Sequence, residues 1–201
     1  MRYLFTAIFI FPLIAFAQKK PIEFYGNANI LLRKSITLTS PILGGGVTGG
    51  IKLSKFGIGL GAEAFKIFSD INTAVPVFVD VRYTSKKADA SIKKNAVYFV
   101  AVNLGKLNLK DETKIGGDTD NNVTKYKGKS FYALETGVVI SLGTPKYGLL
   151  LSVALRRFAF ETTQIHSYSR SASGAIFPTQ TTTRSGTSGH AEFAFKIGFQ
   201  F

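Results

Sequence analysis

The feature that most limits the fold is an alternation of apolar with small or polar residues, which recurs in eight segments of the chain. Alternation with period two predicts β-strands with two unlike faces. No stretch with a helical period of 3.6 residues competes with it, so the sequence predicts an all-β fold. The segments are roughly residues 22–32, 43–53, 56–67, 75–84, 96–105, 129–142, 147–162 and 189–201.

The last segment shows the two faces most clearly. Phe193, Phe195 and Ile197 fall on one face, with Phe199 and Phe201 continuing it. Small and charged residues fall on the other face. The seventh segment is less regular, since Arg157 and Phe158 break its alternation and predict a bulge there.

The N-terminus predicts an export signal. Arg2 supplies a positive charge, residues 3–16 form an apolar stretch, and Ala15-Phe16-Ala17 forms a small-x-small cleavage site. An uncleaved anchor is the alternative, but the stretch is shorter than the roughly 20 residues of a spanning helix and Pro12 interrupts it. We expect residues 1–17 to be a signal peptide and residues 18–201 to form one domain, because no Pro/Ser-rich linker divides them.

Beyond the signal, no apolar run approaches the length of a spanning helix. A mature chain of this kind in a membrane must cross as strands, because only helices and closed barrels satisfy their own backbone groups in lipid. The chain has no cysteine, which excludes disulfides and thiolate metal sites. Backbone pairing and packing must therefore hold the fold.

Alternation alone leaves open which face points inward. A soluble lipocalin-like carrier of an apolar ligand would put the apolar face inside, whereas a transmembrane barrel would put it outside. The polar face is rich in Gly and Ala with scattered opposite charges, which suits the narrow interior of an eight-stranded barrel. Aromatic residues recur near strand ends, and the two longest connections, residues 106–128 and 163–188, fall on one side of the threaded chain. These features favour the transmembrane arrangement.

The signal, the eight segments and the aromatic C-terminal strand resemble the small bacterial outer-membrane β-barrel family, which includes OmpX-like proteins and the membrane domain of OmpA-like proteins. The resemblance implies an eight-stranded antiparallel up-and-down transmembrane β-barrel, exported to the bacterial outer membrane behind a cleaved signal peptide. It also implies that Phe195, Phe199 and Phe201 carry a signal read by the outer-membrane assembly machinery. It is architectural and transfers no active site.

Charged residues of both signs fall on the face expected to point inward. Unpaired charges in a narrow interior would be costly, so these side chains should pair with one another. They predict an ion-pair network that replaces a hydrophobic core, with a gated pore or proton path as the alternative. The predicted network comprises Glu23, Lys52, Glu63, Asp80, Arg82, Glu135, Arg156, Glu192 and Lys196.

Three other patterns resemble chemical sites in part. Residues 118–122 place oxygen ligands at alternate positions, but Val123 and Lys129 stand where a calcium loop needs Gly and Glu. The glycines of residues 44–50 are not followed by the Lys-Ser/Thr of a phosphate loop. His166 and His190, with nearby serines and with Glu161 and Glu192, would suit a rim hydrolase acting on lipid A, but no nucleophile motif accompanies them. We therefore expect no enzyme activity, no metal and no cofactor.

The formal net charge of +13 would suggest a nucleic-acid partner in a cytosolic protein. In an exported protein, anionic lipopolysaccharide is the more natural partner, and a plain solvated surface is the alternative. Residues 106–128 and 163–188 are long enough to form recognition surfaces, or equally an unspecific cover. We expect a monomer with a structural or surface-interaction role.

Overall fold

A computed structural model describes residues 22–35, 42–66, 73–85, 96–116, 120–142, 147–168, 171–172, 175–176 and 180–201. The predicted signal peptide lies outside these residues. The strands are β1 Ile22–Ser35, β2 Ile42–Leu53, β3 Phe56–Lys66, β4 Thr73–Thr84, β5 Ala96–Asn108, β6 Lys110–Gly116, β7 Asp120–Ser141, β8 Gly148–Tyr168, β9 Ser171–Ala172, β10 Ala175–Ile176 and β11 Gln180–Gln200. Within the described residues, no helix has the length and apolar composition needed to cross a bilayer.

Eight of these strands close into an antiparallel barrel in the order β5-β4-β3-β2-β1-β11-β8-β7, with β7 pairing back to β5. Strand β6 continues β5 beyond Leu109 and pairs with the first part of β7. The predicted all-β, eight-stranded antiparallel barrel is confirmed. The bulge expected on β8 is not there, because β8 pairs without a register shift along β11. The irregularity lies on the facing strand β7, between Gly128 and Phe131.

The strands are strongly staggered. When the paired residues are followed from Lys106 of β5 through β4, β3, β2, β1, β11, β8 and β7, the path returns to β5 at Ala96, ten residues lower. For eight strands this shear corresponds to a strand tilt of about 40°. The stagger determines which side chains share a level in the barrel.

The apolar face points outward. Leu134 is 54% exposed and Phe195 is 55% exposed, whereas Glu63 is 2% exposed and Glu135 is 5% exposed. This orientation is the reverse of a lipocalin-like carrier, so that alternative is contradicted. The outward apolar set covers every barrel strand and includes Phe24, Ile30, Leu43, Val47, Phe56, Ile58, Leu60, Val79, Val81, Tyr98, Val100, Leu104, Leu155, Ile197 and Phe199.

The two long connections expected as loops are largely strands. Residues 110–116, 120–128, 160–168 and 180–189 pair with one another beyond the barrel and form what we call the raised sheet. Strands β1 to β4 stop near its base, so the raised sheet stands on one side of one barrel end, the upper end. The turn at Ser54 and Lys55 lies at the lower end, with Ser54 at a φ of 60°.

Close approach inside the barrel makes Gly61 sensitive to substitution. A Cβ at Gly61 would lie 2.4 Å from the Phe78 ring, whereas a Cβ at the outward Gly45 would meet nothing nearer than 3.5 Å. We expect Gly61→Val to lower the free energy of unfolding by about 1–3 kcal/mol through overpacking. Gly45→Val is the matched control and should lower it by less than about 1 kcal/mol. Urea unfolding in detergent, followed by far-ultraviolet circular dichroism, measures both; equal destabilisation would contradict the packing.

Candidate functional site

The barrel interior holds the densest group of charged side chains. Eight are buried, four acidic and four basic, so their formal charges balance. A balanced set is what a narrow, low-dielectric interior requires, because each ion needs an opposite partner to offset its lost hydration. The eight are Arg33, Glu63, Asp80, Arg82, Glu135, Arg156, Glu192 and Lys196.

Six of these residues form an upper cluster. The Arg156 guanidinium pairs with Glu63 and, over 3.2 Å between Nη1 and Oε1, with Glu192. The Arg33 Nε also donates to Glu192 Oε1, over 2.6 Å. On the other side of Glu63, the Lys196 ammonium lies 2.8 Å from Glu63 Oε1 and 2.6 Å from Glu135 Oε2. The cluster therefore ties β1, β3, β7, β8 and β11 together across the interior.

The other two charged residues form a lower cluster with Tyr25. The Arg82 Nε donates to Asp80 Oδ1 over 2.7 Å, and the Tyr25 hydroxyl donates to the same oxygen over 2.7 Å. The Arg82 guanidinium also lies over the Tyr25 ring, 4.5 Å from its centroid. Asp80 thus has partners from β1 and β4, and no charge of this cluster is left alone.

Aromatic side chains pack among the cations of the upper cluster. The ring centroids of Phe131 and Phe158 are 5.5 Å apart, and those of Phe65 and Phe158 are 5.2 Å apart. The guanidiniums of Arg33 and Arg156 lie 4.0 and 4.6 Å from the Phe65 centroid, in cation–π geometry. We call Phe65, Phe78, Phe131 and Phe158 the aromatic layer. Together with the ion pairs, it packs the interior with side chains.

Seven of the nine predicted network residues are buried in these two clusters. The other two lie at the lower end, where Glu23 and Lys52 are paired neighbours on β1 and β2 and line a cavity of about 540 Å³. Glu23 shares the inward parity of Tyr25 but is exposed at the open end of the barrel, and Lys52 is half-buried. Sequence reasoning missed Arg33, because the predicted first strand ended at residue 32; the inward parity of Tyr25, Asn27 and Leu31 would have found it.

The two histidines are far apart. His166 Nδ1 lies 2.5 Å from Asn122 Oδ1 on the raised sheet. The His190 ring stacks on Phe158 with 6.5 Å between centroids, and its Nε2 lies 3.9 Å from Glu192 Oε2. Partial burial lowers the pKa of His190 below its usual value. The Ser167 hydroxyl of the raised sheet lies 3.4 Å from the Thr181 hydroxyl.

Three other sequence features are the calcium-like segment, the glycine run of β2 and the C-terminal aromatic residues. Residues 118–119 of the calcium-like segment lie outside the described residues, and no described group of His, Asp and Glu side chains has the arrangement of a metal site. The glycines of residues 44–50 lie within β2. Phe195, Phe199 and Phe201 all point outward. Backbone groups of Phe201 and Gly26 exchange two hydrogen bonds of 2.8 Å, so pairing continues to the last residue.

Comparison with known proteins gives distant structural likenesses. No protein-family model matches the chain, and no curated protein matches it by sequence. The crystal structure of Neisserial surface protein A (NspA) is similar over 89% of this chain and 99% of that chain, with 11% sequence identity and a TM-score of 0.48. Pseudomonas aeruginosa OpdL matches over 91% of this chain and 99% of that chain, with 7% identity and a TM-score of 0.12.

Arg156 is the residue whose loss should most disturb the interior. Arg156→Gln leaves Glu63 and Glu192 each with one fewer cation, so we expect the free energy of unfolding to fall by about 3–5 kcal/mol. Adding Glu63→Gln should restore part of this loss, because it removes a carboxylate left short of a partner. The control is Lys125→Gln, which breaks the exposed pair with Glu112 and should cost less than about 1 kcal/mol. Equal losses for Arg156→Gln and Lys125→Gln would contradict the network.

Proposed function

We propose that the chain is a resident protein of a bacterial outer membrane, a filled barrel whose role is structural or exercised through its outer surfaces. One observation carries the proposal: apolar side chains cover the outside while paired charges fill the inside. Water would not stabilise that arrangement, because large apolar patches on soluble monomers are rare. Hydrocarbon would stabilise it.

The dimensions of the outer surface support a membrane position. The outward apolar side chains form what we call the apolar belt, which runs for about ten residues along each strand. At a tilt of about 40° this length is roughly 25 Å along the barrel axis. This is the height of the apolar band of outer-membrane barrels. Exposed aromatic side chains mark its lower edge, as an interfacial girdle would, and they are Phe24, Phe56, Tyr83, Tyr98, Tyr147 and Phe201.

The packed interior supports a role without conduction or transport. The aromatic layer and the upper cluster occupy the cross-section, and eight strands enclose only enough space for side chains. The described contacts place His166 beside Asn122 on the raised sheet and His190 beside Phe158 and Glu192, so the two histidines do not share a site. The proposal includes export by the N-terminal signal, recognition of Phe195, Phe199 and Phe201 by the assembly machinery, and a monomeric state.

Cell fractionation and gel migration test the proposal directly. The protein should sediment with outer membranes, stay in the pellet after carbonate extraction, and migrate at two positions before and after heating, as closed barrels do in detergent. Carbonate should not release the protein, because the outer surface is predominantly apolar and the charges of the interior are paired. Release of the protein by carbonate or salt alone would refute membrane residence.

A charged residue introduced on the belt tests whether lipid or water surrounds the barrel. Leu60 lies near the middle of the belt and is 68% exposed. In phospholipid vesicles, Leu60→Arg should lower the free energy of unfolding by about 2–4 kcal/mol. Thr183→Arg on the exposed raised sheet is the matched control and should change it by less than about 0.5 kcal/mol. If Leu60→Arg is tolerated as well as Thr183→Arg, the belt does not face hydrocarbon.

A further inference from the structure

Five cations stand on the outer surface where the apolar belt ends at its upper edge. Each is exposed, and each lies above the last large apolar residue described on the outer face of its strand, as Lys106 lies above Leu104 and Arg157 above Leu155. We call these residues the basic collar. They are Lys34 on β1, Lys66 on β3, Lys106 on β5, Lys129 on β7 and Arg157 on β8.

The shear of the barrel puts these cations at one level. Ten residues of stagger over eight strands lower the axial position by about 1.25 residues at each step from β5 towards β4 and onward. On that scale Lys34, Lys66 and Lys106 lie within about 1.5 residues of one another, roughly 4 Å along the axis, and Arg157 lies between them. Sequence positions that look unrelated therefore form one ring.

The ring has no wide gap. In the order of the barrel strands, neighbouring cations are at most two strands apart, which is roughly 10 Å. Within the described part of the chain, Glu161 pairs with Lys129 over 3.6 Å, and no carboxylate forms an ion pair with Lys34, Lys66, Lys106 or Arg157. The collar thus presents net positive charge directly above hydrocarbon-like surface.

The described part of the opposite edge carries mainly exposed aromatic side chains. Its described cations are half-buried: Lys52 beside Glu23, and Lys55, whose Nζ lies 5.6 Å from the Tyr83 ring centroid. The level ring of exposed cations lies at the end that carries the raised sheet.

We propose that the basic collar binds the phosphate groups of outer-leaflet glycolipid of the lipid A type, while the acyl chains of the same molecules lie on the belt. Lysine and arginine donate charge-assisted hydrogen bonds to phosphate oxygens. A headgroup with two phosphates bridges two collar cations about 10 Å apart, which favours it over a lipid with one. This inference rests on the proposed membrane residence, and it moves the contact from the loops, where the sequence suggested it, to the strands.

The test uses the full mature chain folded in detergent, with native mass spectrometry to measure binding of bis-phosphorylated lipid A. The variant K34Q/K66Q/K106Q removes three collar charges. The control K55Q/K125Q/R184Q removes three cations outside the collar, so both variants have the same net charge. We expect roughly 10- to 100-fold weaker binding for the collar variant and a change of less than about twofold for the control.

Two ligand arms separate the possible sources of recognition. Lipid A without phosphates should bind the parent protein at least about tenfold more weakly, and millimolar inorganic phosphate should not displace bis-phosphorylated lipid A. Equal weakening of both triple variants, equal binding of phosphate-free lipid A, or displacement by inorganic phosphate would each overturn the proposal.

Heat-modifiable migration shows whether each variant has folded, and the parent protein supplies a second measurement if the collar variant has not. Its affinity for bis-phosphorylated lipid A should fall steeply as salt rises, and an affinity indifferent to salt would overturn the proposal. Binding in detergent does not depend on cellular location. Carbonate-extractable protein that still binds through the collar would refute membrane residence alone, whereas membrane-resident protein without collar-dependent binding would refute this inference alone.

Discussion

The rest of the structure depends on the ion pairing of Arg156 with Glu63 and Glu192 in the barrel interior. Most apolar side chains of the barrel face outward, so the buried apolar clusters of the interior share their space with charged side chains. Buried charges do this only when each has a partner. Arg156 supplies that partner to two strands at once, and Lys196 supplies it to Glu63 and Glu135. The apolar side chains can face outward because the buried charges of the interior stabilise one another.

The aromatic layer adds to this arrangement because it packs against the cations themselves. Arg33 and Arg156 lie over the Phe65 ring while their guanidinium edges face carboxylates. A guanidinium can do both, because it donates in its plane and stacks through its face. Lysine could not take the same place, since its ammonium has no flat face to stack. The interior is therefore polar and closely packed at the same time.

The strands that were predicted well are those with one apolar face. In β11 the contrast between Phe195 and Lys196 marks each residue as outward or inward from sequence alone. The raised sheet was missed because residues 180–189 are polar or small on both faces, so alternation carries no signal there. The bulge was expected on β8 because Arg157 and Phe158 break the pattern, whereas the extra residue lies on β7. Arg157 keeps its outward parity and simply lies above the belt.

The pairing of the charges could not be predicted from the sequence, because it depends on the shear. Glu63 and Lys196 are on strands that are not neighbours, and only a stagger of ten residues brings them to a shared level across the interior. The same stagger aligns Lys34 with Lys106 on the outside. The shear therefore determines both which buried charges pair inside the barrel and which exposed charges share a level outside it. Moving one strand by two residues would keep every side chain on its face but change its level in the barrel. A substitution that changed the shear in this way would be expected to break both the buried ion pairs and the alignment of the outer cations.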